Sequence, residues 1–146
     1  MTTLPKWYKP VTIIALLWNI LGCFAFLSDV MMTANDISHL TASQQELYAS
    51  RPMWAVIAYA IAVGGGTAGS LGLILRYRWA MQMLVVSLFG LIVQDYGLFF
   101  LTRVATIVGP MAFIIQGSVL LIAVGLVVLA LQAHKRNWIP NQVAQK

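Results

Sequence analysis

Charge is what this sequence has least of. Only 9% of its residues are Asp, Glu, Lys or Arg, while 60% are hydrophobic; an average soluble domain carries roughly 25% charged residues. A water-soluble fold could not hide that much apolar surface. Cysteine is nearly absent too: Cys23 stands alone, and a membrane thiol oxidoreductase needs at least two thiols to pass a disulfide. Of the two histidines, His39 falls in the polar loop after the first apolar run and His134 just past the fourth, on opposite faces of the expected membrane, so they cannot ligate one haem between helices. Methionine ligation stays formally open beside the simpler reading, gap-filling in an apolar core. No cysteine pair, metal cluster or nucleophile constellation is present to carry chemistry. The expectation is therefore no enzyme, no cofactor and no metal.

What the chain has is long apolar runs: Val11 to Val30, Trp54 to Leu75, Trp79 to Leu101 and Met111 to Leu131. Each is about 20 residues, enough at ~1.5 Å per residue to cross a hydrocarbon core of ~30 Å. The fold class expected is all-α, a polytopic integral membrane protein: an antiparallel bundle of four transmembrane helices in a single domain, 1–146. Short connections, "RYR" between the second and third runs among them, make successive helices neighbours. Trp7, Tyr8, Tyr77, Trp79 and Trp138 on one side, and Tyr48 and Trp54 on the other, read as interfacial aromatic belts.

Lys6, Lys9, Arg76, Arg78, Lys135, Arg136 and Lys146 fall on one side, against Arg51 and Arg103 on the other. Basic flanks are retained in the cytoplasm, so both termini are expected there. The net charge of +5 then reflects topology and anionic headgroups, and no nucleic-acid partner is implied. "ILGC" before an apolar continuation, "FAFLSDV", loosely matches a lipoprotein cleavage site. Because the apolar run continues past Cys23, it reads as an uncleaved first helix.

The polar outer loop, 33–53, contains Ser43 and Glu46 at capping-box spacing, so "QQELYAS" is expected to form a short helix ending before Pro52. Asp36 and His39, with Glu46 nearby, invite a metal reading, but two or three loose ligands specify no geometry.

Small residues organise the second and third helices. Ala58, Ala62, Gly65, Gly69 and Gly72 share one face, as do Ser87, Gly90, Gln94 and Gly97; such stripes permit close backbone approach in lipid. Gly65, Gly69, Gly72, Gly90 and Gly97 are assigned to helix packing. The alternative is a helix broken at "GGG" whose freed backbone lines a site.

Asp95 sits about 100° around the third helix from its small stripe, and counting residues puts Tyr59, Gln94 and Gln116 at similar depth. Asp29 lies just above and Asn19 deeper. An ionised Asp at a helix centre costs about 2.5–3.5 kcal/mol on insertion scales, so something must offset it. Structural offsets are hydrogen bonds to Gln116 or Tyr59, or an ion pair with Arg51 or Arg103. The functional one is an aqueous site binding a cation, a proton or a polar solute. The candidate site is Asp95, Gln94, Gln116, Tyr59 and Asn19.

The stretches "ELYASRPMWAVIAYAIAVGGGTAGSLGLILRYRWA" and "SLFGLIVQDYGLFFL" resemble a family of small four-helix bacterial inner-membrane proteins of unknown function that are often labelled sugar transporters. The resemblance covers nearly the whole chain and implies a four-helix membrane fold. It carries no functional residues over. A sugar site would draw on Trp18, Tyr59, Tyr96, Gln94, Asp95 and Gln116; the Pro-Gln signature of small sugar-efflux bundles is missing. Small multidrug exporters place an acid in the first helix, where this chain has Asn19. Two expectations result. One is transport of a small polar solute or cation, with Asp95 in an outer-leaflet site. The other is a non-catalytic scaffold or accessory subunit whose polar residues fix helix packing. The expected partners are the lipid bilayer and either a second copy or another membrane protein.

Overall fold

Four helices in the computed structural model are long and apolar enough to cross a membrane: α1 (Tyr8–Val30), α4 (Met53–Leu75), α5 (Ala80–Tyr96, continued to Leu101 by a π-helical turn) and α7 (Pro110–Lys135). The structure describes residues 4–102 and 104–139. Arg103 and Lys146, counted above in the basic asymmetry, lie outside them. Each helix is within a few residues of its apolar run. Two extend beyond it: α1 starts at Tyr8 and α7 runs on to Lys135, because helical hydrogen bonding continues through a polar flank once the apolar stretch has nucleated it.

The helix ends have local causes. Gly109, at φ 72°, turns the chain before Pro110, whose missing N–H is harmless in the first turn of α7. At the end of α4, Arg76 adopts φ 61° while Tyr77 N donates to Gly72 O at 2.8 Å, closing the last carbonyls. Left-handed geometry is unusual for arginine. Its side chain is held in turn, Nε donating to Trp138 O at 2.6 Å.

The loop between α1 and α4 folds into two short helices, α2 (Ala34–Ser38) and α3 (Ala42–Ser50). The expected cap at Ser43 and Glu46 is two residues off: Thr41 caps α3, accepting from Gln44 N while Gln44 Oε1 accepts from Thr41 N at 3.2 Å. Thr33 and Asp36 form the same box on α2. Threonine three residues before a side-chain acceptor does what serine was expected to do. A third short helix, α6 (Val104–Ile107), lies in the turn before α7.

The bundle is arranged as a row closed imperfectly. The helices pack in the order α1–α4–α5–α7, α4 against α5 most extensively, while α1 and α7 at the two ends of that row are not comparably packed on each other. The α4–α5 seam is made by small residues. A Cβ on Gly90 would stand 2.9 Å from Ala58 O, one on Gly72 2.8 Å from Ala80 Cβ, and one on Gly97 3.0 Å from Ala55 Cβ. The "GGG" run does not break α4, which is continuous through Gly64, Gly65 and Gly66.

The core is concentrated at the end where α1 begins and α7 finishes, the terminal end. Tyr8, Leu73, Ala80, Leu84, Leu129, Ala130, Ala133, Trp138 and Ile139 cluster there. Tyr8 and Trp138 are buried rather than belt residues: Tyr8 is 1% exposed and its hydroxyl donates to Leu73 O at 2.9 Å. Trp138 packs edge-on to Tyr8, ring centres 5.6 Å apart. Elsewhere the polarity is that of a lipid-facing surface, with Phe89 and Leu121 69% and 75% exposed.

Candidate functional site

Because the core fills the terminal half, the other half of the bundle is hollow. A cavity of about 500 Å³ extends from Leu84 and Leu126 at its floor to Asp29 and Arg51 at the loop end, with walls from all four long helices. Its volume lies within the range of small-molecule sites. Its lining is predominantly apolar, with Asn19, Tyr59, Ser87, Gln94 and Gln116 as polar interruptions.

The floor polar groups are committed to the protein. Asn19 Nδ2 donates to Ala15 O at 2.9 Å and to Ser70 Oγ at 3.0 Å, and the Ser87 hydroxyl donates to Ala62 O. The backbone of Gly66 comes close enough to Asn19 that a Cβ there would collide with its carboxamide. Gly66 was named by sequence reasoning only as part of the "GGG" run, not as a packing or site residue of its own. Its signal was present, since Gly66 and Ser70 are one turn apart and face a polar residue on α1.

Higher up, the small-residue seam fixes the level of Gln94. Gly90 meets α4 at Ala58 and Ala62, and Gly97 meets it at Trp54 and Ala55, which brackets Gln94 at the level of Tyr59. Gln94 Oε1 is buried without a hydrogen-bond partner, an arrangement that is costly unless something else supplies a donor. The Tyr59 ring stands edge-on to Phe26 at 5.0 Å between centres.

Asp95 does not line the cavity. It lies behind the wall, partly buried, and accepts from Gln116 Nε2 at 2.6 Å. Gln116 is the wall residue; the carboxylate orients it, leaving the Gln116 carbonyl oxygen toward other partners. Of the five candidate residues, Gln94, Gln116, Tyr59 and Asn19 therefore share one cavity, and Asp95 acts on it through Gln116.

Arg51 does not pair with Asp95. Its Nη1 sits 2.5 Å from Asp29 Oδ2, and the Tyr48 hydroxyl donates to Asp29 Oδ1 at 2.9 Å. The guanidinium also lies over the Tyr48 ring, 5.2 Å from its centre. Asp29 ends α1 and Arg51 begins the approach to α4, so two charges at one interface find each other across the shortest path. A smaller hollow of about 170 Å³ beyond them shares Asp29, Arg51 and Leu98 with the main cavity, so the ion pair stands between the two. Burial is the main cause raising the Tyr48 phenol above its ordinary value, reinforced by the Asp29 carboxylate and opposed by Arg51.

In the loop, the Asp36 carboxylate is taken up by the Thr33 N–H at 2.8 Å and by the Thr33 hydroxyl, which hold its pKa below the usual carboxylate range. Among the described residues no group of three or more His, Cys, Asp or Glu comes together. Comparison with family models, with curated proteins and with solved structures returns no match.

Proposed function

We propose that the protein is a small multi-pass membrane protein that binds a small solute in the hollow half of its bundle and moves it across the bilayer. The observation that carries this reading is the cavity itself. Its floor is packed and internally hydrogen-bonded, while Tyr59, Gln94 and Gln116 bring polar side chains to its wall above that floor. Tyr59, Gln94 and Gln116 are the contact groups in this reading, Asn19 braces the floor, and Asp95 is a positioning residue acting through Gln116. The basic flanks support an orientation with both termini cytoplasmic, and the resemblance to small bacterial inner-membrane proteins labelled as sugar transporters is consistent with that membrane and with transport. A second copy of the chain is the natural partner for a bundle this small.

The second reading is a scaffold or accessory subunit. The direct Asp95–Gln116 hydrogen bond favours it, because that contact glues α5 to α7 without reference to any solute.

Cysteine reactivity separates the two. In a chain with Cys23→Ser, a cysteine is placed on the cavity wall by Ala123→Cys and exposed to a charged, impermeant maleimide in vesicles of each orientation. A transporter opens its site to both sides in turn, so labelling from the loop side and, more slowly, from the terminal side is expected. Labelling from the loop side alone would remove transport and leave the accessory reading.

A further inference from the structure

The charges and hydrogen bonds around the cavity restrict what it can hold. Among the described residues, Asp29 and Arg51 are the only charged ones in its lining, and at 2.5 Å they neutralise each other. A cation brought to mid-height would face no carboxylate on the wall, since Asp95 lies behind it with Oδ1 taken by Gln116, and burying an uncompensated charge is unfavourable. Polyhydroxylated solutes fare poorly for another reason. The Ser87 hydroxyl and the Asn19 amide nitrogen already bond protein groups, so most hydroxyls of a free sugar would be desolvated without a partner.

Three groups remain uncommitted at one level, the Gln116 carbonyl oxygen among them. The Gln94 amide and the Tyr59 hydroxyl make no hydrogen bond to any described residue, and both side chains line the cavity. Around them the wall is hydrocarbon: Leu91, Val119 and Ile122 among others. The cavity is also walled by α1 and α7, the two long helices that are not closely packed together. The cleft between them faces the bilayer, with Leu21 and Ile115 at its edges, 64% and 54% exposed.

Resting on the reading of this cavity as a solute site, we propose its ligand class. The cavity takes a neutral amphiphile, an apolar body ending in a single hydroxyl or amide head. It enters sideways from the bilayer through the α1–α7 cleft and hydrogen-bonds Gln94 and Tyr59. Such a molecule is already concentrated in the membrane. Its one polar head meets the uncommitted Gln94 and Tyr59 groups, and its body replaces lipid contact with wall contact.

The test uses the full chain in phosphatidylcholine nanodiscs and a long-chain alcohol carrying a photoreactive diazirine, with labelled residues located by mass spectrometry. Saturable labelling on the cavity faces of α1 and α7 is expected. It should be protected by 1-decanol, at least tenfold less well by decylammonium, and not by glucose. Gln94→Leu and Tyr59→Phe should each weaken apparent affinity about threefold to tenfold, the range of one neutral hydrogen bond. Gln94→Leu should at the same time raise the melting temperature without ligand, because it removes an orphaned acceptor; a purely structural Gln94 would lower it. Ala123→Trp should abolish saturable labelling by filling the cavity, with Val119→Phe as the substitute if the tryptophan variant does not fold. Better protection by glucose or decylammonium than by decanol would overturn the ligand class and leave the solute site standing. Unsaturable labelling unchanged by the filling variant would overturn this proposal, while two-sided cysteine reactivity tests the solute-site reading by itself.

Discussion

Gln116 on α7 donates from Nε2 to Oδ1 of Asp95 on α5 at 2.6 Å, joining the last helix to the middle of the bundle through a single short hydrogen bond. Its geometry sets an order of consequences. Asp95→Asn keeps an oxygen acceptor in place and should leave the melting midpoint in detergent nearly unchanged. Gln116→Leu strips a partly buried carboxylate of its donor and should cost about 1.5–3 kcal/mol, the worth of a hydrogen bond to a charged group. Equal melting curves for the two variants would show that the pair does not hold α7.

The seam between α4 and α5 yields a graded prediction across its glycines. A Cβ on Gly90 would press on the Ala58 carbonyl at 2.9 Å and the Ala62 amide nitrogen at 3.0 Å, both backbone atoms that cannot rotate away. Gly90→Ala should therefore destabilise by about 1–3 kcal/mol. At Gly69 the nearest atoms are Leu84 Cγ at 2.5 Å and Cδ2 at 2.7 Å, with Leu84 N at 3.1 Å, on a buried leucine, so Gly69→Ala should also destabilise and Gly69→Leu more. Gly64 has nothing within 4 Å, and Gly64→Ala should be neutral or stabilising by up to about 1 kcal/mol. Thermal melting of the three alanine variants side by side checks the order.

Tyr48 ties α3 to the ion pair, which makes that attachment sensitive to alkali. Burial, then Asp29, raises its phenol above the ordinary value near 10. A folded-state pKa above the unfolded one means that the neutral phenol is favoured by the fold. Its stabilisation is complete below the unfolded pKa and is lost as pH rises through the raised folded value. Hydrogen exchange in Ala42–Ser50 should accelerate in that alkaline window. Asp29→Asn removes the carboxylate that helps hold the phenol up, so Tyr48 should titrate closer to 10 in the variant. Difference absorbance against Tyr48→Phe isolates its signal from the other tyrosines.

Topology is checked by fusion. With both termini cytoplasmic, a reporter active only in the periplasm should be silent at Lys135 and active when inserted in the loop between Leu40 and Thr41. Activity at the C-terminal position would reverse the orientation drawn from the basic flanks.

The four long helices were readable because lipid exposure leaves apolar side chains in unbroken runs; Phe89 and Leu121 face outward and carry the same signal as the interior. Small-residue spacing located the seam for a related reason, since only glycine and alanine permit the approach seen at Gly90 and Gly97. Depth counting brought Asp95 to Gln116, as both lie on long helices whose rise per residue is fixed. Rotation was harder to read. Gln94 and Asp95 differ by 100°, and which of them reaches the cavity depends on how α7 leans on α5, a tertiary matter with no local signature. The Asp29–Arg51 pair was missed because Arg51 was matched to the deeper acid. A cap at Thr41 rather than Ser43 was lost among several hydroxyl residues in one polar stretch. Tyr8 and Trp138 carried interfacial composition while serving as packing, and only the return of the chain after α7 shows it.

The glycine seam also decides what can move. Where Gly90 meets the backbone of Ala58 and Ala62, and Gly65 that of Met83, few rotamers are available to absorb sliding along the seam. Helices α4 and α5 thus form one stiff plate. Helices α1 and α7 meet that plate through longer side chains and hang from its two edges like leaves. Any breathing of the cavity is therefore a swing of the leaves, with the chain's first and last long helices as the working parts and its middle as the frame.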